Sequence, residues 1–205
     1  MSLSRRIALA LPLAILARSG GAAAADAGSA PTALIERFYD ALLGVMRQAK
    51  RLSFDERYNR LAPTISQTFD LGLMTRIAVG PSWTQFGPDQ QQRLTAAFSR
   101  YTISLYANRF DDFSGQKFQV DPTPTANANG TVVKSQLVKA NGETINLSYL
   151  MRQEAAGWRV IDVYLSGTVS ELATRRSEFL SVLQQGGADG LVRMLEQRTA
   201  ALRTG

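Results

Sequence analysis

The side chains able to do chemistry in this sequence are few in kind. Among its 205 residues there is no histidine and no cysteine. That removes Ser-His-Asp and Cys-His catalysis, thiolate nucleophiles, imidazole or thiolate metal centres, and disulfides. Asp, Glu, Lys, Tyr and Ser remain. They converge in "WRVIDVYLSGTVSELATRRSEF", residues 158–179, where a single carboxylate, Asp162, sits inside an apolar alternating run and paired arginines follow a glycine. By alternation Asp162 shares a strand face with Trp158, Val160 and Tyr164. Two readings follow. In a cavity, Asp162 beside a tyrosine is a general acid or base whose pKa is raised by burial. As a structural group it pairs with Arg175 or Arg176, or caps the next helix, and fastens the last strand to the last helices. The sequence favours the structural reading.

The elements that must position these residues are legible from periodicity. "PTALIERFYDALLGVMRQAK" places Leu34, Phe38, Leu42 and Val45 on one helical face, with Ile35, Tyr39 and Met46 beside it. "SFDERYNRLAP" opens with Ser53 and Glu56 at capping-box spacing and is predicted to stop at Pro63. Asp70 is set to cap a short helix that Gly80-Pro81 ends. The longest helical pattern starts near Pro88, with a solvated Gln90-Gln91-Gln92 start and a face of Leu94, Phe98, Tyr101 and Leu105.

The period then changes to two. "QKFQV", "TVVKSQLVKA", "ETINLSYLMR" and "GWRVIDVYL" are separated by the turn signals "ANANG", "ANG" and "AAG". Four strands on tight turns predict an antiparallel meander, one face wet and the other, with Ile145, Leu147, Tyr149 and Met151, covered. Thr168 and Glu171 have capping-box spacing for a following helix that ends at Gly186-Gly187, and Asp189 is placed to cap the last one. The fold class is α+β: helices packed on one face of a curved four-stranded antiparallel sheet.

The first 25 residues have a different character. Arg5 and Arg6 precede an apolar run from Ile7 to Ala17, and Ala23-Ala24-Ala25 stands before Asp26. That is the three-part layout of a secretory signal, with an apolar core too short to span a bilayer. "SRR" partly resembles a twin-arginine signal, but the general secretory route is the expectation. Residues 1–25 are thus expected to be removed, leaving 26–205 as one domain. Formal charge then falls from +6 to +3, with 20 basic against 17 acidic residues. No dense Lys/Arg stripe appears, so nucleic acid is not an expected partner. No Walker-type glycine loop occurs either.

From about Phe69 to Arg198 an ordered series of short motifs resembles the Mla-type periplasmic lipid carriers, the toluene-tolerance auxiliary family of ABC transporters. The carrying residues are Gly80, Trp83, Gln90, Phe98, Tyr106-Ala107, Trp158, Val160, Asp162-Val163, Gly167, Arg176, Phe179, Gly187, Gly190 and Leu191. The specificity lies in their order. Ser166, and "TRR" at 174–176, depart from the common pattern and resemble the branch associated with hopanoid biosynthesis.

The resemblance implies a periplasmic carrier that takes phospholipid or a hopanoid-type lipid as cargo and has no cofactor. It implies a membrane-anchored substrate-binding component of an ABC transporter as partner, with an outer-membrane lipoprotein complex at the other end. A diffusing carrier is expected to be a monomer. Such a carrier needs an apolar cavity between sheet and helices. The expected lipid-binding walls are Phe98, Tyr101 and Leu105 from the long helix and Val133, Leu137, Ile145, Leu147, Tyr149, Val163 and Leu165 from the strands. Phe179 and Leu183 are added from the last helices, with Arg176 assigned to a lipid phosphate. The competing expectations are a cavity enzyme using Asp162 and an adaptor with a filled core.

Overall fold

The computed structural model describes residues 30–204. The expected signal peptide, residues 1–25, lies outside them. Helix α1 (Pro31–Met46) starts with proline at its first turn, where the missing N–H costs nothing. A 3-10 turn (Ala49–Arg51) leads to α2 (Phe54–Thr68), which opens on the predicted capping box. There Glu56 N–H donates to Ser53 Oγ at 3.3 Å, and Ser53 N–H donates to Glu56 Oε2 at 2.8 Å.

The predicted stop at Pro63 does not occur. Helix α2 runs through it, with Pro63 on the exposed face while Leu61 and Ile65 are fully buried. Water can satisfy the carbonyl that the proline leaves free, and burial on the other face holds the helix together. Helix α3 (Leu71–Val79) is capped as predicted, Leu73 N–H donating to Asp70 Oδ1 at 2.9 Å, and ends at Gly80. A second 3-10 turn (Gly80–Gln85) leads into α4 (Pro88–Arg109). Its glutamines do more than meet solvent. Gln90 Oε1 accepts from Gly87 N–H, and Gln91 Nε2 donates to the carbonyls of Trp83 and Phe86 at 3.0 Å each, tying down the preceding turn.

The four predicted strands are present as β1 (Lys117–Val120), β3 (Gly130–Val138), β4 (Thr144–Glu154) and β5 (Gly157–Leu165). Two short additions, β2 (Thr125–Asn127) and β6 (Val169–Ser170), make the antiparallel sheet six-stranded rather than four-stranded. The order is β1-β3-β4-β5-β6, with β2 also pairing β3. These pieces are too short to show a period, so no alternation announced them.

The register of β5 also departs from simple alternation. Leu150 faces Asp162, but Met151 faces Val160, leaving Ile161 as an extra residue on β5. This bulge flips the side-chain sense. Val163 and Val160 both belong to the buried cluster beneath the helices, while Asp162 points to the other side. Asp162 therefore does not share a face with Val160.

Helix α5 (Glu171–Thr204) closes the chain and breaks at Gly187 (φ 57°, ψ −152°), as the paired glycines predicted. Its first cap is Ser170, not Thr168: Ala173 N–H donates to Ser170 Oγ at 2.9 Å, while Thr168 lies in the β5–β6 turn. Asp189 does not cap the second half but pairs with Arg93 of α4 at 2.8 Å. All five helices contribute to one buried cluster against the inner face of the sheet. At its centre Phe38 is fully buried and meets the rings of Phe69 (5.2 Å) and Tyr106 (5.5 Å) edge-on. Among the described residues no helix is long and apolar enough to cross a membrane.

Candidate lipid-binding cavity

A cavity of about 240 Å³ lies between the inner face of the sheet and helices α1, α3, α4 and α5. Its floor is formed by buried side chains: Tyr39 and Leu42 of α1, Phe69, Met74 of α3, Phe98 of α4, Tyr149 of β4 and Leu172 of α5. Its rim is only half-buried. Leu105, Phe110, Phe118, Leu137, Ile145, Leu147 and Leu165 surround it, and Thr102, Arg109, Glu171 and Arg175 supply the polar groups. An apolar interior with a few polar groups at its opening is the layout of a ligand site. A second groove of about 570 Å³ on the opposite face of the sheet is larger. Gln119, Lys134, Gln136, Asn146 and Ser148 line it, so it suits water better than hydrocarbon.

Eight of the thirteen expected wall residues line the cavity: Phe98, Leu105, Leu137, Ile145, Leu147, Tyr149, Val163 and Leu165. The other five do not. Val133 is fully buried core. Phe179 stands one layer back, edge-on to Phe98 at 6.4 Å, and Leu183 is buried beyond it. Tyr101 lies under the Arg175 guanidinium, 5.5 Å from its ring centroid. Arg176 is exposed and packs across Gly80, away from the opening. The arginine at the rim is Arg175. It is held by Glu171 (3.7 Å) and Glu178 (3.1 Å), and its side chain is only 14% exposed. Arg198 binds Glu178 at 2.9 Å, and this bond, helped by Arg175, keeps the Glu178 carboxyl below its ordinary pKa. Spacing could not separate the two arginines, because both flank the buried stripe of Leu172, Phe179 and Leu183.

Sequence reasoning also missed the contribution of α1. Tyr39 and Leu42 were legible as an apolar helix face, but a packing face and a cavity wall have the same periodicity. At the floor, Tyr39 Oη donates to Tyr149 Oη at 2.9 Å and lies 2.5 Å from Ser135 Oγ. Burial pushes Tyr39 up to about 12, and it pushes Tyr149 and Tyr106 further above the ordinary tyrosine value. These hydroxyls stay protonated.

Asp162 is 8% exposed and lies outside the cavity. Its oxygens accept from Ser170 Oγ (2.6 Å), Val163 N–H (2.8 Å) and Leu172 N–H (3.3 Å). Neither Arg175 nor Arg176 pairs with it. The fastening of β5 to α5 is real, but the Ser170 hydroxyl and the Leu172 amide make it, because the start of α5 brings its own donors nearer than any guanidinium. The described residues contain no cluster of His, Cys, Asp or Glu able to hold a metal.

The fold and this cavity define an α+β protein with an apolar chamber that opens between sheet and helices. Residues 36–197 match the family model described as MlaC protein, and the chain belongs to the MlaC family. The family is one of non-enzymatic periplasmic lipid carriers without a cofactor. A phospholipid-binding protein from Ralstonia solanacearum, solved in complex with a phospholipid, is similar over 84% of this chain and 98% of its own, at 27% identity and a TM-score of 0.73. Comparison with curated protein sequences returned no match.

Proposed function

We propose that this protein is a periplasmic carrier that takes a phospholipid into the cavity tail-first and passes it between membrane components of an ABC transport system. One observation carries the reading. The cavity is predominantly apolar, and its charged groups are confined to the opening. The phospholipid held by the similar Ralstonia protein supports phospholipid over hopanoid as the cargo. Arg109 and Arg175 are the cations placed to meet a head-group phosphate, and Arg175 takes over the role expected of Arg176.

Each methylene transferred from water to the cavity contributes about 0.8 kcal/mol. A bilayer offers nearly the same, so exchange is close to balanced and the cargo can leave again. The volume of about 240 Å³ is below the roughly 300–1,000 Å³ of sites for drug-sized ligands, and a two-tailed lipid is larger still. Loading therefore spreads the half-buried rim between α4 and the β3–β4 hairpin. The mature carrier is residues 26–205, exported by its first 25 residues and acting as a monomer. Its partners are a membrane-anchored substrate-binding component and an outer-membrane lipoprotein complex.

The test is lipid mass spectrometry on the mature protein purified from its own periplasm, followed by incubation with phospholipid vesicles. Near-stoichiometric phospholipid is the expected result. A lipid-free protein that also takes nothing from vesicles overturns the reading and leaves the adaptor.

A further inference from the structure

One cation at the opening of the cavity is held by more than its own turn of helix. Arg175 Nη1 donates to Glu178 Oε2 at 3.1 Å, and Arg198 Nη1 donates to the same oxygen at 2.9 Å. Glu178 and Arg198 lie on opposite sides of the Gly187 break, so this carboxylate ties the two segments of α5 together and grips Arg175 at the same time. The Tyr101 ring supports the guanidinium from below, its centroid 5.5 Å from Arg175 Cζ.

The grip leaves the rest of the guanidinium free. Glu171 stands 3.7 Å from Nη2, too far for a hydrogen bond. Among the described residues Glu178 is the one hydrogen-bond acceptor of Arg175, and the other N–H groups remain for solvent or a ligand at the rim. A guanidinium carries its donors in a fixed plane, so fixing one edge aims the other. Holding so flexible a side chain in advance also removes part of the entropy lost on binding. Glu178 itself does not line the cavity.

We propose that Glu178 is a positioning residue for the head group: by gripping one edge of Arg175 it aims the remaining N–H groups at a phosphate in the opening, and so raises the preference for a phospholipid over a neutral lipid with the same tails. The inference rests on the carrier reading above. It acts through Arg175, and Glu178 touches no cargo.

The test offers the protein mixed vesicles of a phosphatidylcholine and the diacylglycerol with the same two chains. Both lipids are read by mass spectrometry on the re-isolated folded protein. Glu178 has a side chain 36% exposed, where an ion pair contributes little to folding, so Glu178→Gln is expected to fold. Wild type is expected to enrich phosphatidylcholine over diacylglycerol relative to the vesicles. Glu178→Gln is expected to lower that enrichment about fivefold, the size of one net hydrogen bond. Arg175→Gln should lower it at least as far, and adding Glu178→Gln to it should lower it no further. A merely structural Glu178 would change the amounts of both lipids and leave their ratio alone. An unchanged or raised ratio in Glu178→Gln therefore overturns the proposal, as do additive losses in the double variant. If wild type loads the two lipids in proportion to vesicle content, the phosphate preference falls and the carrier reading stands. If neither lipid is taken up, the carrier reading fails and this inference with it.

Discussion

Asp162 shows how far one residue's neighbours decide its role. In sequence it is a lone carboxylate in an apolar strand. In the fold it accepts three hydrogen bonds from the β5–α5 junction, and none of its oxygens faces the cavity. Asp162→Ala is expected to cost about 2–3 kcal/mol, because it removes a charge-assisted acceptor and strands buried donors. Ser170→Ala, which removes the helix cap and one of those donors, should cost about 1 kcal/mol. The two share a bond, so the double variant should lose less than the sum. Urea titration measures all three. Lipid loading of the folded variants should stay at the wild-type level, and a selective loss of loading would reopen the cavity role. The floor tyrosines predict an alkaline limit. Their pKa values are raised by burial, Tyr39 to about 12 from the ordinary 10.0 of a tyrosine, so the folded state favours the neutral phenol. That stability is fully present below pH 10 and is lost as pH rises from 10 through 12. The urea midpoint should hold steady below pH 10 and fall above it, in step with tyrosinate absorbance.

At the scale of elements, two glycines mark where helices must end. Gly80 and Gly187 both sit at positive φ with ψ near −150°, a region that side chains avoid at a cost of about 1–3 kcal/mol. They differ in surroundings. A Cβ at Gly80 would stand 2.7 Å from Arg176 Nε, whereas one at Gly187 meets nothing within 4 Å. Gly187→Ala should therefore show backbone strain alone. Gly80→Ala should be at least as destabilised, and Arg176→Ala in the same chain should recover only the contact with the guanidinium. A thermodynamic cycle by thermal or urea unfolding reads the difference. Arg176 is thereby given a packing role over the α3 terminus, which explains why a residue in the family pattern does not reach the cavity. The β5 bulge at Ile161 acts at the same scale. One extra residue sends Val160 and Val163 to the same side and turns Asp162 outward to meet α5.

For the whole molecule, function depends on a volume that no single element encloses. The cavity has contributions from α1, α3, α4, α5 and all the longer strands, so filling it from one side should block the cargo without unfolding the protein. Leu147 is half-buried at the rim and lines the chamber. Leu147→Trp is expected to reduce lipid uptake from vesicles at least tenfold while shifting stability by less than about 1.5 kcal/mol, because the added ring enters open space rather than a packed core. Wild-type uptake by this variant would place the cargo elsewhere.

Much of this protein was legible without coordinates. The helices, the four main strands, the Ser53 and Asp70 caps and the Gly80 and Gly187 breaks follow from periodicity and from backbone rules that act within a few residues. Eight cavity-lining positions were legible as buried faces, six by strand alternation and Phe98 and Leu105 by helical period, and the family resemblance marked them as walls. The tertiary structure decided the rest. Only packing determines that Phe179 fills space while Phe98 bounds it, that Arg175 rather than Arg176 reaches the rim, and that Tyr39 meets Tyr149 across 110 residues of chain. A buried wall and a buried core have the same hydrophobic pattern. They differ in whether distant elements meet across the gap, and that is a property of their arrangement in space.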